Sequence, residues 1–163
     1  LSNSEPRRWG LLTQHKGNNM TAWATVITDA SYSDKDNKAG WAAWINIDGM
    51  SCPIKKYGSF STDVMSSTDA EIKSALNGMW IARKYGADAI LLQTDCMAVV
   101  HLIAGFTKKV KFISDWNCKI ESAGLLGVPI RAKHVKGHTK KKDARSHVNR
   151  WCDTHANKAR KAT

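Results

Sequence analysis

The sequence predicts an α/β fold of mixed (α+β) character: a five-stranded mixed sheet, an antiparallel meander followed by βα units, with helices on both faces. Three observations predict it. Three apolar stretches rich in β-branched and aromatic residues follow one another early in the chain, joined by short turns. At about Thr68 the apolar spacing changes from that of a strand to that of a helix. From there on, helical stretches alternate with short apolar runs, the order of helices packed on a sheet. At 163 residues one domain is expected. It is placed at 21–163, behind a polar, flexible N-terminal segment at 1–20.

The first strand is predicted at Ala22–Thr28 (AWATVIT) and the second at Ala39–Ile47 (AGWAAWINI). Asp48-Gly49 is a hairpin signal, so the third strand is expected to follow it and run to about Phe60. Ile72, Ala75, Leu76, Met79 and Trp80 recur at helical spacing, which predicts an amphipathic helix stopped near Tyr85-Gly86. Ala89–Gln93 (AILLQ) is uniformly apolar, as in a strand buried on both faces. Helices are expected at about Cys96–Ala104 and Lys111–Leu125, then a strand at Ile130–Val135. The last helix carries the stripe Val148, Trp151, Cys152, His155, Ala156 and Ala159. Trp23, Trp41, Trp44, Trp80 and Trp151 all fall on these stripes and are expected in the core. Trp116 fits core or surface.

Hydrophobic residues make up 42% and charged residues 24%, which excludes disorder for the body of the chain. No apolar run approaches the roughly 20 residues that span a bilayer, and the N-terminal stretch lacks the apolar centre of a secretory signal. A chain that starts with Leu is expected to be a processed product or a piece of something longer. Cys52, Cys96, Cys118 and Cys152 are widely spaced and form no CxxC pair. They read as reduced thiols, and an intracellular location, cytoplasmic or nuclear, is expected. The net charge is +11. Eleven basic residues from Arg131 onward face only Asp143 and Asp153, a net of +9 in the final segment. Such a balance favours a polyanionic partner, nucleic acid before an acidic membrane surface.

Four acids stand out in a chain poor in them, and each has a local explanation. Asp29 follows the first strand and suits a turn. Glu71 completes the capping box Thr68-x-x-Glu71. Asp95 ends the buried strand, where it could cap the next helix. Asp153 lies mid-helix, where an exposed carboxylate is ordinary. Together they read differently. Adjacent parallel strands would bring Asp29 and Asp95 side by side, Glu71 would reach them from the helix beneath, and Asp153, in line with Asn149, would lean over the sheet edge. Converging carboxylates repel unless cations neutralise them, and hard oxygen ligands suit Mg²⁺, with Mn²⁺ as a substitute. Two such ions would activate a water and stabilise the leaving oxygen of a phosphodiester.

The stretches TDASYSDKDNKAGWAAWI, SSTDAEIKSALNGMW, ILLQTDCMAVV and HVKGHT…NRWCD resemble the successive signatures of the ribonuclease H family, type 1. The resemblance runs from about Ala22 to Ala159, with the four acids in the family's order. It implies a ribonuclease H-like fold and four acids, Asp29, Glu71, Asp95 and Asp153, that bind two Mg²⁺ ions. It also implies hydrolysis of the RNA strand of an RNA/DNA hybrid duplex, leaving a 3′-hydroxyl and a 5′-phosphate. His138 matches the family's mobile histidine, expected to transfer protons and assist product release; a loop histidine on a phosphate is the alternative. Where relatives read 2′-hydroxyls with Asn or Gln, this chain has Ser67, Thr68 and Met97, of which the first two can still hydrogen-bond. Asn149 matches a position near the last acid. The loop to Asp153 is longer than usual for the family, and its Lys140, Lys141 and Lys142 are placed to grip phosphates. The basic handle of some relatives is cut short to FTKKVKFISDW, with Lys108, Lys109 and Lys111 in its place.

Three rival readings remain. His134 and His138 with Cys152 and His155 have spacings of a zinc site. The domain could cut DNA, as resolvases and integrases of the same superfamily do. It could also be a non-catalytic module that only binds hybrid. A monomer is expected, and no membrane partner.

Overall fold

The computed structural model describes residues 21–107, 110–137, 140 and 142–163. The segment 1–20 and Lys108, Lys109, His138 and Lys141 therefore lie outside the described residues. The elements are β1 (Trp23–Ser33), β2 (Lys38–Ile47), β3 (Ile54–Ser59), α1 (Ser67–Lys84), β4 (Ala89–Thr94), α2 (Met97–Ala104), α3 (Val110–Ser122), β5 (Ile130–His134) and α4 (Ala144–Lys161). The five strands form one sheet in the order β3-β2-β1-β4-β5. β1, β2 and β3 pair antiparallel, whereas β4 pairs parallel with both β1 and β5.

The ladder, rather than apolarity, decides where β1 ends. The strand does not stop at Thr28 as expected. It continues through Asp29, Ser31 and Ser33 because β2 supplies a partner at each step, from Asp29↔Ala42 to Ser33↔Lys38. The chain then turns at 34–37, where Asn37 takes the left-handed conformation (φ 53°) that its short polar side chain tolerates. Asp48-Gly49 does form a turn, with Gly49 at φ 84° and the Met50 N–H donating to Ile47 O. The third strand is delayed all the same, because its first ladder pair is Ile45↔Ile54. Pro53, just before it, has no N–H to give to the ladder.

Helix α1 begins at Ser67, not after Thr68. Ser66 is the N-cap, and its side chain accepts from the Asp69 N–H. The expected Thr68-x-x-Glu71 box is therefore not formed. Thr68 is already helical, and Glu71 lies a turn into the helix.

Alternate residues of β1 and β2 face opposite sides of the sheet. On one side Val26, Ala43 and Ile45 meet Ile72, Leu76 and Met79 of α1, together with Val99 of α2 and Trp116 of α3. On the other, Ile27, Ala42 and Trp44 meet Cys152 and Ala156 of α4. Fully buried side chains such as Ile45, Met79 and Leu92 each contribute about 1.5–3 kcal/mol. Two glycines let the layers approach: a Cβ on Gly78 would strike Val26 and Thr28, and one on Gly40 would strike the α4 backbone at Ala156. Trp44 and Trp116 are buried, but Trp80 is not the core residue expected. It is 44% exposed, because Ile81 and Ala82 carry the buried stripe onward and turn it to the rim of α1. Trp23, Trp41 and Trp151 are half-buried.

The four cysteines stand free of disulfides. No helix among the described residues is long and apolar enough to cross a membrane.

Candidate metal centre

β1 and β4 run parallel in register as far as Ile27↔Gln93. Two residues further along each chain, Asp29 and Asp95 stand side by side. Asp95 is where β4 has ended, and Asp29 is where β1 continues on β2 alone. Glu71 enters from α1. One carboxylate oxygen from each of Asp29, Glu71 and Asp95 lies within 4.8 Å of the others. None of the three has the local role that its neighbours in sequence suggested. Asp29 is within a strand, Glu71 caps nothing, and the N-cap of α2 is Cys96, which makes no side-chain capping bond.

Asp153 comes from α4 and stands slightly apart from this triad. With Asp29, Asp95 and Asn149 it lines a cavity of about 40 Å³, room for one or two waters or small ions and too small for an organic ligand. A hydrogen-bonded chain ties its helix to β1. Arg160 Nε donates to Ser31 Oγ (2.7 Å), Ser31 Oγ donates to Asn157 Oδ1 (2.7 Å), and Asn157 Nδ2 reaches Asp153 Oδ1 (3.5 Å).

The electrostatics of the cluster are those of too many negative charges in too little water. The Ala30 N–H donates to Asp29 Oδ1 (3.0 Å) and Glu71 Oε1 (3.3 Å), while Glu71 Oε2 is buried without a partner. Burial, reinforced by the charges of Asp95 and Asp153, pushes the Asp29 carboxyl up to about 7. Burial, reinforced by Asp29 and Asp95, pushes Glu71 up to about 9. An orphaned carboxylate oxygen within an all-oxygen donor set is the coordination chemistry of a hard divalent cation, so these residues fit one.

The surrounding residues hold Asp95 and Asp29 in place. The His134 Nε2–H donates to the Asp95 main-chain carbonyl (3.1 Å), and Ser74 Oγ donates to the Asp29 carbonyl (2.8 Å). Gly137 backs directly onto Asp95, where a Cβ would run into Oδ2. Sequence reasoning missed Ser74, Gly137 and Arg150, which also lines the cavity. Ser74 did leave a signal, a polar residue on the buried stripe of α1, one turn from Glu71. Gly137 left none, since its neighbour Asp95 is remote in sequence. Arg150 was hidden among the many basic residues of the last segment.

Ser67 and Thr68 occupy the first turn of α1, Asn149 lines the cavity, and Lys140 and Lys142 are exposed between β5 and α4. His138 and Lys141 are outside the described residues. The zinc alternative finds no support in its three described members. His134 is turned to Asp95. His155 Nδ1 lies 2.8 Å from the Trp151 carbonyl, its ring stacked on the Trp151 ring with centroids 4.0 Å apart. Cys152 is fully buried, its thiol against the Ile27 carbonyl and pushed well above the ordinary thiol range by burial.

A family model described as reverse transcriptase-like matches residues 27–123, a span that includes Asp29, Glu71 and Asp95. Among curated proteins no sequence matches. Among solved structures, the N-terminal RNase H domain of a Mycobacterium tuberculosis protein is similar over 87% of this chain and 96% of that chain, with 18% identity and a TM-score of 0.68. RNase H1 from the archaeon Halobacterium salinarum is similar over 86% of this chain and 99% of that chain (16% identity, TM-score 0.65). LC11-RNase H1, solved in complex with an RNA/DNA hybrid, is similar over 85% and 97% (17% identity, TM-score 0.62).

Proposed function

The chain belongs to the ribonuclease H-type, reverse transcriptase-like family, and on that premise we propose that it is an endonuclease that hydrolyses the RNA strand of RNA/DNA hybrids. The products are a 3′-hydroxyl and a 5′-phosphate. The observation that carries this reading is the convergence of Asp29, Glu71 and Asp95 around a buried, unpartnered carboxylate oxygen, with Asp153 beside them. These four residues hold divalent cations, Mg²⁺ or Mn²⁺. Two such ions, when bound, supply an acidified water and neutralise charge developing on the phosphodiester oxygens.

The remaining work falls to the chain's own residues. Asp29 and Glu71 release their protons as the site fills, because a ligating carboxylate must be ionised. His134 anchors the Asp95 main-chain carbonyl, and Gly137 leaves the room that the Asp95 carboxylate occupies. His138 takes and returns a proton during turnover. Lys140, Lys141 and Lys142 grip phosphates, within a chain whose charge of +11 draws in a polyanion. Ser67 and Thr68 contact the 2′-hydroxyls that mark the RNA strand, and Asn149 contacts the substrate beside Asp153. The chain acts as a monomer.

The test is cleavage of end-labelled RNA/DNA hybrid, duplex DNA and duplex RNA in parallel, with and without Mg²⁺. The expected result is Mg²⁺-dependent cutting confined to the RNA strand of the hybrid. Cutting of duplex DNA in preference to hybrid would mark a DNA-directed nuclease instead. Equal hybrid binding with and without Mg²⁺ and no cutting would mark a binding module.

A further inference from the structure

Among the large apolar side chains left exposed, Trp80 (44%) and Tyr85 (41%) line a single cleft at the edge strand, where Tyr57 turns its own ring to the opposite side of the sheet and onto His155 of α4 (centroids 4.8 Å apart). It lies where the outer face of α1 meets β3, and Lys56 and Lys84 share it. The Lys84 ammonium sits 4.5 Å from the centre of the Trp80 ring. On the other side of Trp80 a second cleft opens, which includes Phe60 and Lys119. No Asp or Glu lines either cleft among the described residues. Trp80 is nine residues along α1 from Glu71, about 13 Å, so this surface is separate from the acid cluster.

We propose that this aromatic, basic face of α1 and β3 binds single-stranded nucleic acid, with a base stacked on Trp80 and phosphates against Lys56 and Lys84. The choice of occupant follows from charge and shape. Exposed rings alternating with cations, and no acids, match a strand that offers flat π-faces and one negative charge per residue. A duplex hides its base faces in the stack and leaves the rings without partners. A second copy of this chain would set lysine against lysine in a protein of net charge +11. The segment 1–20 is itself basic, with Arg7, Arg8 and Lys16 against Glu5, and matches the cleft poorly. The inference goes beyond the hydrolytic site and does not depend on it, since no metal is involved. It gives the protein a hold on an unpaired extension of its substrate.

The experiment is fluorescence anisotropy of labelled oligothymidylate with the whole chain in EDTA, where the acid cluster holds no cation. The native protein is expected to bind, and the oligonucleotide to quench tryptophan emission. Trp80→Ala should weaken binding about tenfold and lose much of the quench, the scale of one stacked base. Lys56→Glu with Lys84→Glu should weaken it further and flatten the salt dependence. Both variants are surface changes, circular dichroism checks that they fold, and both should cut blunt hybrid at the native rate. Equal binding by all three proteins would overturn the proposal. So would a loss on charge reversal with none in Trp80→Ala, which would reduce the effect to bulk charge. A change of sedimentation in Trp80→Ala without a change in oligonucleotide binding would make the face a protein contact and overturn it equally.

Discussion

Glu71→Gln is expected to stabilise the metal-free protein while destroying its response to metal. Burial and the neighbouring Asp29 and Asp95 hold the Glu71 carboxyl protonated up to about 9, against an ordinary value of 4.5. The sign follows directly. The unfolded chain gives up this proton near 4.5 and the folded chain keeps it, so the folded state binds more protons throughout the interval. Stability is therefore greatest below the unfolded value and falls as pH rises towards about 9. Near pH 7 the folded protein has been holding that proton for roughly 2.5 units of pH, at about 1.36 kcal/mol each, a cost of about 3 kcal/mol. The amide is neutral at every pH and removes the cost. In EDTA near pH 7 the variant should melt about 6–12 °C above the native protein. The gap should close as pH falls to the ordinary glutamate range. Adding Mg²⁺ should raise the native melting temperature by mass action and leave the variant nearly unmoved. The assay is thermal denaturation by circular dichroism across pH, with EDTA or Mg²⁺. A variant less stable than native in EDTA, or a gap that ignores pH, would refute the electrostatic account of the site.

Other substitutions probe the supports. Gly137→Ala drives a methyl into the Asp95 carboxylate and should lower single-turnover cleavage about 10²-fold with a near-native melting temperature; a native rate would mean the loop moves away freely. Asp153→Asn should raise the Mg²⁺ concentration needed for half-maximal cutting and leave a measurable rate, because Asp153 stands outside the tight triad; metal titration of the rate checks this. Ser66→Ala removes the α1 cap and should cost about 1 kcal/mol in urea denaturation, with a cost near zero implying that solvent replaces the bond.

The sequence carries most of the fold because its periods are clean. The apolar stripe of α1, the uniformly apolar β4 and the stripe of α4 all lie where their spacing placed them, to within a residue or two. It reads poorly wherever a partner remote in sequence decides the outcome. β1 runs past its last apolar residue because β2 pairs with it, and no local feature of Asp29-Ala30-Ser31 announces that. The cap of α1 falls on Ser66 rather than Thr68 because Ser66, Ser67 and Thr68 are chemically interchangeable there, and the approach of the chain chooses. Trp80 shares a face with the buried residues by angle alone, and only the sheet beneath shows that the face has ended. The acids were legible as a set for a related reason. Parallel pairing of two apolar strands converts two distant aspartates into neighbours, and that pairing could be anticipated from the meander followed by a βα unit. The glycine behind Asp95 could not, since the contact belongs to tertiary structure alone.

The most direct measurement of the central claim is cleavage and binding of one end-labelled hybrid by the native chain and by Asp95→Asn, each with Mg²⁺ and with EDTA. Removing one charge from the carboxylate cluster should abolish cutting and leave hybrid binding intact, and EDTA should do the same to the native chain. Cutting by the variant at the native rate, or by the native chain in EDTA, would contradict it.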